Sequence, residues 1–124
     1  MAQHNELGAR GELIARKFLE GKGFRIIETN WRYEKDEIDL IAKEGDELVM
    51  VEVKTRSTNF YGDPSEAVGI AKENFMIRAA EAYLELHDLN IDTRFDIVSI
   101  VIDKKGEQIE HIRDAFYPEM PVID

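Results

Sequence analysis

The chain has 124 residues, 44% of them hydrophobic and 34% charged, with a formal net charge of −10 and no cysteine. That length suits one domain with a real core. The missing cysteines exclude a disulfide framework and a thiolate metal site. The acidic balance argues against strong non-specific duplex binding, which phosphate attraction dominates. No apolar run approaches the roughly 20 residues that span a bilayer. The opening "MAQHNELGARGE" has no apolar signal-peptide core. The expectation is a cytoplasmic protein with no membrane partner. The charge is uneven: residues 1–35 hold seven Lys/Arg against five Asp/Glu, and the remainder nine against twenty-one. Any basic surface must come from the first helix and strand, through Arg10, Arg16, Lys17, Lys22, Arg25, Arg32 and Lys35. The alternative is an ordinary solvated helix face.

Residues 5–21 predict an amphipathic helix, with Leu7, Ile14, Ala15 and Phe18 on one stripe and Leu19 at its edge. Gly8 and Gly11 lie on that side and would let another backbone approach, and Gly21 and Gly23 end the helix. "FRIIETNWRY" reads as a strand, "EIDLIAKEGDELVMVEVK" as a hairpin and "TRSTNFYGD" as a loop. Asp63, Pro64 and Glu66 have the chemistry of an N-cap, a first-turn proline and an N3 acid, so a helix is expected to start there. After a brief break at Gly69 it continues over 70–87, with Met76, Ala79, Ala80 and Tyr83 on one stripe. "TRFDIVSIVI" is a β-branched strand, "KKG" a turn and "EQIEHIRDAF" a last strand. The end "YPEMPVID" has two prolines and no clear period, and 114–124 is assigned as the C-terminal tail. The order α-β-β-β-α-β-β predicts an α/β fold with a mixed sheet and helices packed on it.

The hairpin carries the chemistry. Gly45-Asp46 suits a two-residue type II′ turn. That register places Asp39 opposite Glu52 and Glu37 opposite Lys54. Ile38, Leu40, Ala42, Val49, Val51 and Val53 then share one apolar face. The other face is apolar near the turn (Ile41, Leu48, Met50) and ionisable away from it (Glu37, Asp39, Glu52, Lys54). Like charges directly opposed destabilise a sheet unless something positive lies between them. A divalent cation would supply it, and Mg²⁺ typically takes one or two carboxylates while keeping several waters. The plainer reading is an exposed strand face with a Glu37–Lys54 ion pair. The apolar remainder of the face and the Asp39–Glu52 pairing weigh against it.

Asp39 followed by Glu52-Val53-Lys54 in a hydrophobic strand resembles the D…E-x-K signature of the PD-(D/E)XK nuclease superfamily. More of the chain agrees: Gly8-x-x-Gly11-Glu12-x-x-Ala15, Asn30-x-Arg32, Glu37-Ile38-Asp39-Leu40-Ile41, Val51 to Arg56, Gly62, Lys72, Tyr83-Leu84 and Arg94-Phe95-Asp96. As a set, over roughly residues 4–102, these resemble the YraN family of uncharacterised bacterial proteins, related to Holliday-junction resolvases. Asp36 stands where that family usually has Gly, and Tyr61 where it usually has Phe. Asp36 adds negative charge beside the site.

The resemblance implies a single restriction-endonuclease-like domain over 1–124. It implies a site in which Asp39, Glu52 and the backbone carbonyl of Val53 hold Mg²⁺ or Mn²⁺. Lys54 would orient the attacking water or stabilise charge on phosphorus, and Glu12 would be an extra carboxylate near the metal. The substrate would be nucleic acid, with DNA the kind the resemblance implies, and resolvase relatives suggest a homodimer. Read from the residues alone, Glu12 is an ordinary helix glutamate at the edge of the buried stripe. Lys72, on the inward stripe of its helix, must find an acid or a phosphate, or snorkel to water. Arg56 and Tyr61, in the loop, are candidates for substrate contact. Asp96 is expected to pair with Arg94 or Arg56. His4, His87 and His111 have no metal-ligand spacing. The function expected is a metal-dependent endonuclease acting on DNA. The other class is a catalytically inactive module of the same fold that binds nucleic acid or protein.

Overall fold

The computed structural model describes residues 6–57 and 68–118. Helix α1 (Glu6–Gly21) buries Gly11, Ala15 and Leu19, a stripe at four-residue spacing. It ends in a Schellman arrangement: Gly23 takes φ +96, its amide donates to Glu20, and the Phe24 amide donates to Leu19. Leu19 and Phe24 close the motif with an apolar contact inside one core cluster.

Strands β1 (Arg25–Tyr33), β2 (Asp36–Glu44) and β3 (Glu47–Arg56) form an antiparallel meander. Helix α2 (Ile70–Leu86) crosses over to β4 (Thr93–Asp103), which lies parallel to β3, and β5 (Gly106–Ile112) pairs antiparallel with β4. The sheet order is β1-β2-β3-β4-β5. A parallel pair needs a crossover connection, and α2 supplies it. The expected α/β fold, element order and mixed sheet are all present. Among the described residues no helix is long and apolar enough to cross a membrane.

The two helices cover opposite faces. Under α1 lie Leu40, Ala42, Val49, Val51, Val98 and Ile100. Under α2 lie Ile41, Leu48, Met50, Phe95 and Ile97, meeting Phe75, Met76, Ala79, Ala80 and Tyr83. Each cluster is apolar surface taken out of water, which holds the layers together at roughly 25 cal/mol per Å². Gly11 lets α1 lie close against the sheet: a Cβ there would collide with the Thr55 side chain.

Three details depart from the sequence reading. Ile38 does not share a face with Leu40; it joins the α2 cluster. The pleat is irregular at this point of the β1–β2 ladder: Asn30 takes φ +50, between the pairs Thr29–Leu40 and Trp31–Ile38. Thr55 and Arg56 are not loop; β3 runs on through them, paired with Ile100 and Val101 of β4. The tail is docked at its start, where the Ala115 amide donates to the Phe95 carbonyl and Phe116 stacks on Phe95 at 5.0 Å. The expected helix start at Asp63, Pro64 and Glu66 lies outside the described residues, as does Tyr61.

Candidate functional site

The β2–β3 hairpin has the expected register. Glu44 pairs with Glu47 across Gly45 (φ +61) and Asp46, and the ladder proceeds to Leu40 opposite Val51. There its main-chain pairing ends. Toward the open end β2 pairs with β1 and β3 with β4. Asp39 fills the opening: its Oδ2 accepts the Val53 amide at 2.8 Å. The side chain thus serves the amide in place of a main-chain acceptor, and the bond fixes the carboxylate.

Glu52 is the next residue on β3 and is only 6% exposed. Asp39 lies within hydrogen-bonding reach of it. The two acids are therefore neighbours at the mouth of the hairpin. Burial pushes the Glu52 carboxyl up to about 8; the negative charge of Asp39 pushes the same way, while Lys72 and Lys54 pull it down. Its Oε1 is buried and has no hydrogen-bond partner among the described residues. A buried carboxylate oxygen without a donor is costly to keep.

Two lysines face this carboxylate. Lys54 Nζ stands 3.8 Å from Glu52 Oε2, and its side chain is 40% exposed. Lys72, in the first turn of α2, reaches back to the sheet. Its Nζ is 3.7 Å from Glu52 Oε1, 3.0 Å from Asp36 Oδ2 and 3.3 Å from the Glu37 carbonyl oxygen. Burial disfavours the charged lysine, but Glu52 and Asp36 outweigh it and raise its pKa. Burial likewise opposes the ionised Asp36, yet the bonds from the Glu37 amide and from Lys72 lower its pKa on balance. Of the two readings of Lys72, the structure gives contact with the carboxylate cluster.

Glu12 sits on the α1 side of the sheet. Its Oε1 accepts a hydrogen bond at 2.9 Å from Asn30 Nδ2, the strand residue with positive φ. Glu12, Asn30 and Arg16 line a cavity of about 280 Å³ between α1 and β1. Arg56 lies at the end of β3 and is half-buried. Among the described residues, no three His, Cys, Asp or Glu side chains are grouped so as to hold a metal. The donor set at the hairpin mouth is the carboxylate pair Asp39 and Glu52. That set fits Mg²⁺ or Mn²⁺, hard cations that take one or two carboxylates and complete their shells with water and substrate oxygens. The Oε1 of Glu52, which has no hydrogen-bond partner among the described residues, is the atom such a cation would satisfy.

A second charged network holds the far end of the sheet. Asp96 is fully buried and bonds Arg94 through both oxygens, at 2.8 and 2.9 Å. His111 Nε2 lies 2.7 Å from Asp96 Oδ2, and the Asp114 amide donates to Oδ1. Burial opposes the charge on Asp96, but the bonds from His111 and Arg94 hold its pKa down at about 2. Arg94 also reaches Glu44 and Glu47 beside the hairpin turn. Of the two expected partners, Arg94 is the one found. His111 was not foreseen, because its only sequence signal was a place in the last strand. Asp36 was read as added charge near the site but not as a partner of Lys72.

A family model described as uncharacterised protein family UPF0102 matches residues 11–100. A UPF0102 protein of Christiangramia forsetii is 45% identical over 117 residues, covering 94% of this chain and 98% of its own length. One from Bacteroides thetaiotaomicron is 43% identical over 120 residues, covering 97% and 99%. One from an Arthrobacter species is 45% identical over 109 residues, covering 86% and 92%.

Proposed function

The chain belongs to the uncharacterised protein family UPF0102, and we propose that it is a metal-dependent, nuclease-like protein that hydrolyses phosphodiester bonds in DNA. One observation supports this above the rest. A buried Glu52 is held beside Asp39, with an oxygen that lacks a hydrogen-bond partner among the described residues, at the end of the hairpin where its main-chain pairing stops. A stable sheet gains nothing from two acids held side by side, whereas a site for a divalent cation uses them.

In this reading Asp39 and Glu52 hold Mg²⁺ or Mn²⁺, with the Val53 carbonyl as a further ligand. A bound cation would polarise the phosphoryl oxygen and lower the pKa of bound water. The chain supplies the rest. The Val53 amide fixes the Asp39 rotamer through its 2.8 Å bond. Lys54, more exposed than Glu52 and anchored beside it, offers its ammonium to the nucleophilic water or to the charge that develops on phosphorus. Glu12, bonded to Asn30 on the α1 side, is not grouped with Asp39 and Glu52 among the described residues, so the reading rests on that pair without it. Arg56 and the exposed cations Arg10, Arg16 and Lys17 of α1 offer contacts to the nucleic-acid backbone.

A second reading, an inactive module of the same fold, draws on the net charge of −10 and on Asp36, which occupies a cation beside the site. Incubation of purified protein with branched and duplex DNA, with Mg²⁺ or Mn²⁺, separates the two. The nuclease reading expects cleavage that Lys54→Met and Glu52→Gln both abolish. Lys54→Met should also leave thermal stability about unchanged, within roughly 0.5 kcal/mol, as for an ordinary half-exposed position. Metal-dependent binding without cleavage would favour the module.

A further inference from the structure

Resting on the metal-site reading above, we propose that Lys72 is a built-in counter-ion that competes with the divalent cation for Glu52, and that Asp36 receives the lysine when the cation enters. The ammonium has three donors. Its short contacts go to Asp36 Oδ2 at 3.0 Å and the Glu37 carbonyl at 3.3 Å, while Glu52 Oε1 stands at 3.7 Å, beyond hydrogen-bonding distance. Lys72 therefore lends Glu52 its charge and gives its hydrogen bonds elsewhere. That division explains why Oε1 is left without a donor although a cation lies beside it.

Without metal, Asp36 and Asp39, and Glu52 once it has lost its proton, need a positive charge, and Lys72 is the most buried amine near them: its side chain is 23% exposed against 40% for Lys54. The ring of Phe75 lies 5.1 Å from its Nζ and backs it on the protein side. A divalent cation between Asp39 and Glu52 would repel an ammonium this close to Oε1. The lysine need not leave the site, because Asp36 already binds it at 3.0 Å. Asp36 is half-exposed, so it stays ionised without help from the metal. Metal entry becomes an exchange of cations at Glu52 rather than an addition of charge.

Calorimetric titration of the purified chain with Mn²⁺ tests this. Lys72→Met should tighten Mn²⁺ binding by roughly tenfold, the equivalent of ~1.4 kcal/mol, and lower the thermal stability of the metal-free protein. Lys72→Gln keeps donors for Asp36 and Glu37 without the charge, and should tighten binding in the same direction even if the methionine variant folds poorly. Asp36→Asn should weaken Mn²⁺ binding in the wild-type background and have little effect once Lys72 is Met, because the two substitutions act on one exchange. Equal weakening by Asp36→Asn in both backgrounds would overturn the role given to Asp36. Unchanged or weaker binding by both lysine variants, with the wild type still binding Mn²⁺, would overturn the competition alone. No Mn²⁺ binding by wild type or either lysine variant would remove the metal-site reading and this proposal together.

Discussion

The Asp39 carboxylate takes the Val53 amide at the point where β2 and β3 stop pairing. One side chain thereby completes the hairpin and presents a carboxylate to Glu52. The bond separates two functions of Asp39 that substitution can resolve. Asp39→Ala leaves the Val53 amide without its acceptor and should destabilise the chain by about 1–3 kcal/mol. Asp39→Asn keeps an acceptor oxygen and should fold at least as stably as the wild type. Urea unfolding of the three proteins measures both. Equal losses for Ala and Asn would mean that the charge of Asp39, not the bond, supports the fold.

The raised Glu52 pKa sets a pH dependence. An acid whose folded pKa lies above its unfolded value of 4.5 binds more protons folded than unfolded between the two. Stability then falls as pH rises across that window. Glu52 should contribute a decline between about 4.5 and about 8 in the metal-free protein. Asp96 contributes the opposite limb: with its pKa held down at about 2, its stabilising contribution is lost as pH falls from the ordinary value of 3.8 through about 2. Urea midpoints of metal-free wild type and Glu52→Gln across this range measure the effect. The Gln variant should lack most of the decline between 4.5 and 8; an unchanged slope would place its origin elsewhere.

The Asp96 network should behave as part of the fold rather than of the site. Asp96→Ala takes their buried carboxylate from His111 and from the Nε and Nη2 of Arg94, which keeps only its bonds to Glu44 and Glu47 at the hairpin turn among the described residues. Removing one partner of a buried pair is strongly destabilising, about 3–5 kcal/mol. Chemical denaturation should show a loss of that order. A small loss accompanied by a change in Mn²⁺ affinity would connect Asp96 to the metal site instead.

The hairpin was legible because its information is local. Alternating apolar residues and a Gly-Asp turn fix the register, and the register brings Asp39 to Glu52. The helices were legible for the same reason, since the Ala15–Leu19 and Met76–Tyr83 stripes show which faces are buried. What escaped depends on partners distant in sequence. Ile38 changes face where the pleat flips beside Asn30 of β1, whose positive φ suits an asparagine but is not announced by the alternation of residues. Arg56 belongs to a strand because β4, about forty-five residues later, extends the ladder past the apolar run. Lys72 had an inward position but no named acid, and Asp36 became its partner only when α2 crossed over the sheet. His111 found Asp96 through the β4–β5 pairing, a contact that no short spacing encodes.

The measurement that bears most directly on the site is a pair of thermal melts, wild type and Asp39→Asn, with and without millimolar Mn²⁺. A ligand that binds only the folded state raises the melting temperature by mass action. Mn²⁺ held by Asp39 and Glu52 should raise the melting temperature of the wild type and leave Asp39→Asn unmoved. No shift in either protein, or an equal shift in both, would contradict a metal site at this hairpin.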